Sequence, residues 1–123
     1  MATELKEVAL RDGYIEVVAV GAVDVPPYNY EATYGAIAEL CREHYCFQVM
    51  LDRTAVTGTA KDVLQQVVGE YVTRTFPRNT RIAVLVPESV SLYRLEAAVA
   101  SRGEATLRLF WDRDKALAWL LAK

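Results

Sequence analysis

Two spacings of hydrophobic residues divide the chain into predicted strands and helices. The segments Val8–Arg11 and Tyr14–Val20 have the pattern of β-strands, and the second is apolar on both faces over most of its length. Asp12 and Gly13 separate these two segments, and an Asp-Gly pair between alternating runs is typical of a type I′ hairpin turn. The sequence therefore predicts an antiparallel hairpin at the start of the chain.

The rest of the chain alternates between the apolar spacing of helices and short apolar runs of strands. The predicted helices are Tyr30–His44, Ala60–Thr75, the stretch from Ser89 or Ser91 to Gly103, and the residues that follow Asp112. The predicted strands are Phe47–Leu51, Arg81–Val86 and Thr106–Trp111. The second of these strands is apolar almost throughout, as in strands that are covered on both faces.

The resulting order is β-β-α-β-α-β-α-β-α in a chain of 123 residues, which fits one domain spanning residues 1–123. Strands that alternate with helices favour right-handed crossovers and parallel neighbours. We therefore expect an α/β fold with a mainly parallel sheet, an antiparallel N-terminal hairpin strand and four helices.

Composition and charge narrow the class of protein. The chain is 53% hydrophobic and 24% charged, as expected of a globular domain, and its net charge of −2 gives no electrostatic case for nucleic-acid binding. The N-terminal residues lack the apolar core of a signal peptide, and no apolar run approaches the roughly 18 residues that cross a bilayer. We expect a cytoplasmic protein that does not span a membrane.

The segment FQVMLDRTAVTGTAKDVL, residues 47–64, is the most informative part of the chain. Its apolar run stops at Asp52, a polar loop follows, and a helical pattern then begins. Ligands and partners of α/β sheets usually bind at such carboxyl ends of strands. We predict an interaction or regulatory loop here, with the candidate residues Asp52, Thr54, Thr57, Gly58 and Thr59. Asp52 also suits a structural role, in which its carboxylate bonds amides of the turn that begins at Arg53.

The order of elements resembles that of STAS-like domains, and most closely the SpoIIAA-like family of small bacterial proteins. The segment LFWDRDKALAWLLA, residues 109–122, is similar to the family's last strand and its F-x-x-x-x-x-A-x-x-W-L helix. The segments VMLDRTAVTG and RIAVLV resemble the central and penultimate strands. Because Ala116 and Trp119 share a helix face, they also predict close docking of that helix on the sheet.

The resemblance implies a regulatory module. In anti-sigma factor antagonists of this fold, a serine after the central strand is reversibly phosphorylated and controls binding to a kinase. The corresponding residues here, Thr57-Gly58-Thr59-Ala60-Lys61, contain no serine. Thr57 and Thr59 keep hydroxyl groups near the start of a predicted helix, where a phosphate is favoured. Thr59 also suits an ordinary helix cap, and Thr57 an ordinary loop residue.

Cys41, His44 and Cys46 form the only cluster of potential metal ligands or nucleophiles in the sequence. A structural zinc site needs four ligands, and the chain has no other His or Cys. No Gly-rich phosphate loop occurs, and no helix N-terminus or basic group is placed to lower the pKa of the Cys41 thiol. We predict no enzyme activity, no catalytic or metal-binding residues and no cofactor.

Tyr28, Tyr30 and Tyr34 crowd the start of the first predicted helix and could line an apolar pocket or pack in the core. Two functions follow from these patterns, and an enzyme that uses Cys41 and His44 is a third that would need a reactive Cys41 thiol. The first is a non-enzymatic regulatory or protein-interaction module, as the resemblance implies. The alternative is a carrier of a small apolar ligand or lipid, with the β/α architecture of CRAL-TRIO carriers and the tyrosines as its pocket. A homodimer is compatible with both.

Overall fold

The computed structural model describes residues 3–22, 30–57, 62–77, 79–87 and 105–122. Within them, five strands form one sheet in the order β1-β2-β3-β4-β5. The strands are β1 Glu4–Leu10, β2 Ile15–Ala22, β3 Gln48–Thr57, β4 Thr80–Leu85 and β5 Ala105–Phe110. The helices are α1 Tyr30–His44, α2 Asp62–Thr75 and, after β5, α3 Arg113–Leu120.

The predicted α/β class and mainly parallel sheet are confirmed. β1 runs antiparallel to β2, and the neighbours from β2 to β5 are all parallel. The described residues contain three helices, whereas the sequence predicts four. The remaining predicted helix, which ends at Gly103, lies outside the described residues. No helix in the described part of the chain is both long and apolar enough to cross a bilayer.

Helices cover both faces of the sheet. α1 and α2 follow successive parallel strands, and right-handed crossovers in one direction put such helices on the same face. There they pack on a large cluster from β2, β3, β4 and β5 that includes Val49, Leu51, Ile82 and Val84. α3 packs on the opposite face, against Met50 and its neighbours. β3 and β4 are therefore buried on both sides, which explains their apolar sequences.

The hairpin between β1 and β2 forms as predicted, but its predicted turn type is wrong. A type I′ turn needs positive φ at both central residues, and only Gly13 has it, with φ of 88°. The turn residues Arg11–Tyr14 are closed by the Arg11 amide, which donates to the Tyr14 carbonyl at 2.8 Å. An Asp-Gly pair thus identifies the hairpin, but does not decide its backbone geometry.

The central strand is longer than the sequence predicts. We expected β3 to end at Asp52, but it continues to Thr57 and pairs with β2 as far as Ala22. The added residues include Thr54, Val56 and Thr57, whose β-branched side chains favour extended backbone. The polar residues Thr54 and Thr57 are therefore exposed positions at the end of a strand, not parts of a loop.

The predicted start of the last helix is confirmed. Asp112 has extended backbone dihedrals and its carboxylate accepts hydrogen bonds from the amides of Asp114 and Lys115, as an N-cap does. These bonds satisfy donors that the first turn of a helix otherwise leaves unpaired.

Trp119 joins α3 to the sheet, as the C-terminal sequence predicts. Ala116 is fully buried, so the helix backbone lies close to the strands. The Trp119 ring packs on Phe110 with ring centroids 5.6 Å apart. The guanidinium carbons of Arg81 and Arg108 lie 5.9 Å and 5.5 Å from the indole centroid. Arg81 also donates to the Trp119 carbonyl at 3.0 Å, which satisfies the C-terminal end of the helix.

We expect Trp119→Ala to lower the free energy of unfolding by about 2–4 kcal/mol, because it removes the indole that packs α3 on the sheet. Trp111→Ala is the matched control, since the Trp111 side chain is 61% exposed. For that variant we expect a change below about 0.5 kcal/mol. Urea unfolding followed by circular dichroism measures both, and equal losses would contradict the packing role of Trp119.

Candidate functional site

The end of β3 projects beyond the rest of the sheet. Pairing between β3 and β4 ends where Asp52 lies opposite Leu85. Pairing with β2 continues until Thr57 lies opposite Ala22. Within the described residues, the stretch 53–57 is therefore paired on one side only. It lies at the carboxyl edge of the parallel strands, where α/β sheets usually bind their ligands and partners.

A β-bulge separates the core of β3 from this projecting end. Asp52 lies opposite Val18 and Ala55 opposite Val20, so β3 has one more residue than β2 between these two pairs. The Asp52 carboxylate accepts hydrogen bonds from the Thr54 amide at 2.9 Å and the Thr54 hydroxyl at 2.6 Å. The carboxylate thus satisfies an amide of the bulge, where the ladder is interrupted. This matches the structural role considered for Asp52, with its partner two residues along the chain.

Arg53 is the residue at this edge that the sequence analysis missed. It is only 6% exposed although it carries a charge. Its guanidinium donates to the Tyr34 hydroxyl at 2.6 Å and lies 5.4 Å from the Tyr34 ring centroid. The signal was the alternation of Val49, Leu51 and Arg53, which puts all three on the face that α1 covers. It was missed because β3 was expected to end before Arg53.

The other candidate residues of this segment are distributed along the strand rather than clustered. Thr54 and Thr57 are both exposed. The Thr57 hydroxyl donates to the Gly21 carbonyl at 3.3 Å, which ties the tip of β3 to β2. Among the predicted residues that the structure describes, Asp52 and Thr54 contact each other, whereas Thr57 contacts β2. Gly58 and Thr59 lie outside the described residues, so the predicted helix cap and regulatory hydroxyl at Thr59 stay predictions.

The tyrosines at the start of α1 face α2. Tyr34 is fully buried, and its ring meets that of Phe76 edge-on at 6.3 Å. Tyr30 packs edge-on against Tyr71 at 5.8 Å, and partial burial raises its pKa, as does the neighbouring Glu31. Tyr28 lies outside the described residues. Tyr30 and Tyr34 therefore join the two helices, and the pocket that they were predicted to line stays a hypothesis.

The Cys41, His44 and Cys46 side chains lie in different environments. Cys41 is fully buried in the core, and burial raises the pKa of its thiol to about 11, with a smaller effect from Cys46. His44 is exposed at the end of α1, and Cys46 is half-buried beside the Gln48 carbonyl. Within the described residues, no three His, Cys, Asp or Glu side chains are close enough to hold a metal ion. A thiol with a raised pKa is a poor nucleophile.

A shallow cleft that the sequence did not predict lies where β5 meets α3. Its volume is about 300 Å³, and its lining combines apolar and charged side chains from Arg108, Leu109, Phe110, Trp111, Asp112 and Lys115. The exposed Trp111 between Phe110 and the helix cap is the only sequence signal for it. The cleft shares the carboxyl edge of the sheet with the end of β3, because β3, β4 and β5 are parallel.

The arrangement of strands has a counterpart among solved structures. The crystal structure of an uncharacterized DUF3478-family protein from Shewanella loihica PV-4, described as having a SpoIIAA-like fold, aligns with 97% of this chain and 94% of its own. The TM-score is 0.57 and the sequence identity is 17%. The chain has a SpoIIAA-like fold. No family model and no curated protein matches the sequence. At this identity, the SpoIIAA-like likeness concerns the fold and assigns no partner or ligand.

We expect Tyr34→Phe to lower the free energy of unfolding by about 1–2 kcal/mol, because it removes an acceptor of the buried Arg53 guanidinium and keeps the ring. In an Arg53→Met background, the same change should cost less than about half as much. Urea unfolding of the four proteins measures this coupling. Tyr30→Phe is the control and should show no coupling to Arg53→Met. Equal costs of Tyr34→Phe in both backgrounds would contradict the assigned contact.

We expect iodoacetamide at pH 7.5 to label Cys46 and leave Cys41 unmodified in the native protein. With a pKa of about 11, Cys41 has a thiolate fraction of roughly one in three thousand at that pH. Because the folded-state pKa is raised, labelling of the native thiol should rise only as the pH approaches 11. Mass spectrometry of peptides measures the labelling, and urea-unfolded protein provides the fully reactive control. Rapid labelling of Cys41 in the native protein would contradict its burial and would favour an enzymatic function that uses this thiol.

Proposed function

We propose that this domain acts by binding a partner protein at the projecting end of β3 and that it is not an enzyme. The observation that carries the proposal is the stretch 53–57, which extends past the end of β4 and exposes Thr54, Ala55 and Thr57 to solvent. A backbone that is paired on one side offers hydrogen-bonding groups on the other side. Because the strand is already formed, its exposed side chains can contact a partner protein without a further folding step in this chain.

Three contacts fix the conformation of the projecting end of β3, and a fixed conformation favours binding of a partner. The Asp52 carboxylate fixes the bulge at the Thr54 amide, Arg53 ties the strand to Tyr34 of α1, and Thr57 bonds the Gly21 carbonyl of β2. A surface that is already ordered loses less conformational entropy when a partner binds. The polar rim and small apolar centre at Ala55 suit a protein surface better than a small-molecule site.

The chemistry of the described residues also favours binding over catalysis. The buried Cys41 thiol has a raised pKa, and His44 is exposed at the end of α1. The SpoIIAA-like fold supports membership of the SpoIIAA-like family and, through the sequence resemblance, a STAS-like regulatory role in the cytoplasm. Thr57 is exposed at the tip of β3, and a phosphate on its hydroxyl could regulate that role by breaking the hydrogen bond to the Gly21 carbonyl.

The alternative of a small apolar ligand carrier now depends on the cleft beside Trp111 rather than on the tyrosines. Its volume of about 300 Å³ lies at the lower end of the range for small-molecule sites. A bound organic molecule in native mass spectra of the purified protein would favour this function over the interaction module.

We expect a photo-crosslinking amino acid at Ala55 to form an adduct with one specific protein in the organism that produces this chain. Glu43 is the matched control position, because it is exposed near the end of α1 at the opposite edge of the sheet. Mass spectrometry identifies the adduct, and Asp52→Ala should reduce its yield by releasing the bulge. The absence of an adduct at Ala55, or the same adducts at both positions, would contradict the proposal.

A further inference from the structure

The outer edge of β1 has an apolar surface that the functional proposal does not use. β1 is a terminal strand of the described sheet, so one side of its backbone has no strand neighbour within the described residues. Two large apolar side chains on this strand are exposed, Val8 by 48% and Leu10 by 59%. They lie opposite Val17 and Ile15 of β2, on the face that α1 and α2 cover further inside the sheet. An open edge with apolar side chains is a template for pairing with another strand.

The backbone of β1 determines which residues can pair outward. In an antiparallel ladder, hydrogen-bonded and non-hydrogen-bonded pairs alternate. The Arg11 amide donates to the Tyr14 carbonyl, so Arg11 and Tyr14 form a hydrogen-bonded pair. The next pair, Leu10 with Ile15, is then non-hydrogen-bonded, and so is the pair of Val8 with Val17. The N–H and C=O groups of Val8 and Leu10 therefore point away from β2, toward the open edge.

We propose that a second copy of this chain pairs with that edge, antiparallel, about a two-fold axis at Ala9. In this register Val8 lies opposite the partner's Leu10, Ala9 opposite its own copy, and Glu7 opposite the partner's Arg11. The two apolar pairs use the outward backbone groups just described, and the small Ala9 side chains meet at the axis. Glu7 and Arg11 carry opposite charges on the same face of the strand, and symmetry makes this contact twice. Arg11 also lies 3.6 Å from Glu16 of its own chain, so in the dimer it contacts an acidic residue from each copy.

The irregularity of β1 limits the pairing to this half of the strand. The register with β2 shifts between Leu5 and Glu7, which leaves Lys6 as an extra residue in a bulge. A bulge and a lysine are features that natural sheets use to prevent edge pairing. They protect the first half of β1, whereas residues 7–11 combine regular pairing to β2 with exposed apolar side chains. The partner that fits residues 7–11 is the same five residues of a second copy.

Sedimentation velocity of the full chain, from about 5 μM to about 500 μM, tests the proposal. We expect a concentration-dependent shift from the 13.8 kDa monomer to a dimer of twice that mass. Glu7→Arg and Arg11→Glu each place like charges opposite each other, so each should raise the dissociation constant at least about tenfold. The double variant restores opposite charges and should return the constant to within about threefold of the original.

Glu4→Lys is the control, because Glu4 is an exposed acid on the same strand beyond the paired residues. It should leave the dissociation constant unchanged, and thermal unfolding should confirm that all variants fold. A chain that stays monomeric over the whole range would overturn the proposal. So would a dimer that the single charge changes do not weaken, or one that the double variant does not restore. Because Ala55 lies at a different edge, these outcomes are independent of the crosslinking result.

Discussion

The buried guanidinium of Arg53 is the interaction on which the carboxyl edge of this domain depends. A charge that is 6% exposed must be hydrogen-bonded, because an unsatisfied buried ion is strongly destabilising. Tyr34 of α1 provides one acceptor, so the end of β3 and the start of α1 are fixed to each other. α1 in turn packs on α2 through Tyr30 and Tyr71. The projecting strand therefore belongs to the packed structure, although much of it is exposed to solvent.

The two proposed surfaces lie far enough apart to operate together. The axis at Ala9 lies toward the amino ends of the parallel strands, because β1 is antiparallel and Ala9 pairs with Glu16 near the start of β2. The projecting residues 53–57 lie at the carboxyl ends. A dimer formed through β1 would leave both projecting ends accessible, at opposite ends of a continuous sheet. Such a dimer could bind two copies of a partner, or two sites on one partner, with increased avidity.

The sequence predicts the architecture well because hydrophobic periodicity and turn residues act locally. The helix Tyr30–His44, the parallel strands and the cap at Asp112 all follow from such patterns. The end of β3 could not be predicted in this way, since its polar residues are held by long-range pairing with β2. The burial of Arg53 likewise depends on Tyr34, nineteen positions away, and a charged residue in one sequence normally indicates exposure. The sequence therefore indicates which edge of the sheet carries the candidate residues, but it does not indicate which of their side chains contact one another.

We infer that β3 stays ordered past Asp52, so that its exposed side chains form a prearranged binding surface. Backbone ¹⁵N relaxation of the isolated domain tests this claim directly, because it reports the amplitude of motion at each amide. We expect order parameters of about 0.85 for residues 53–57, equal to those of the core strands. Values below about 0.6 for this stretch would show a mobile loop and would contradict a prearranged binding surface.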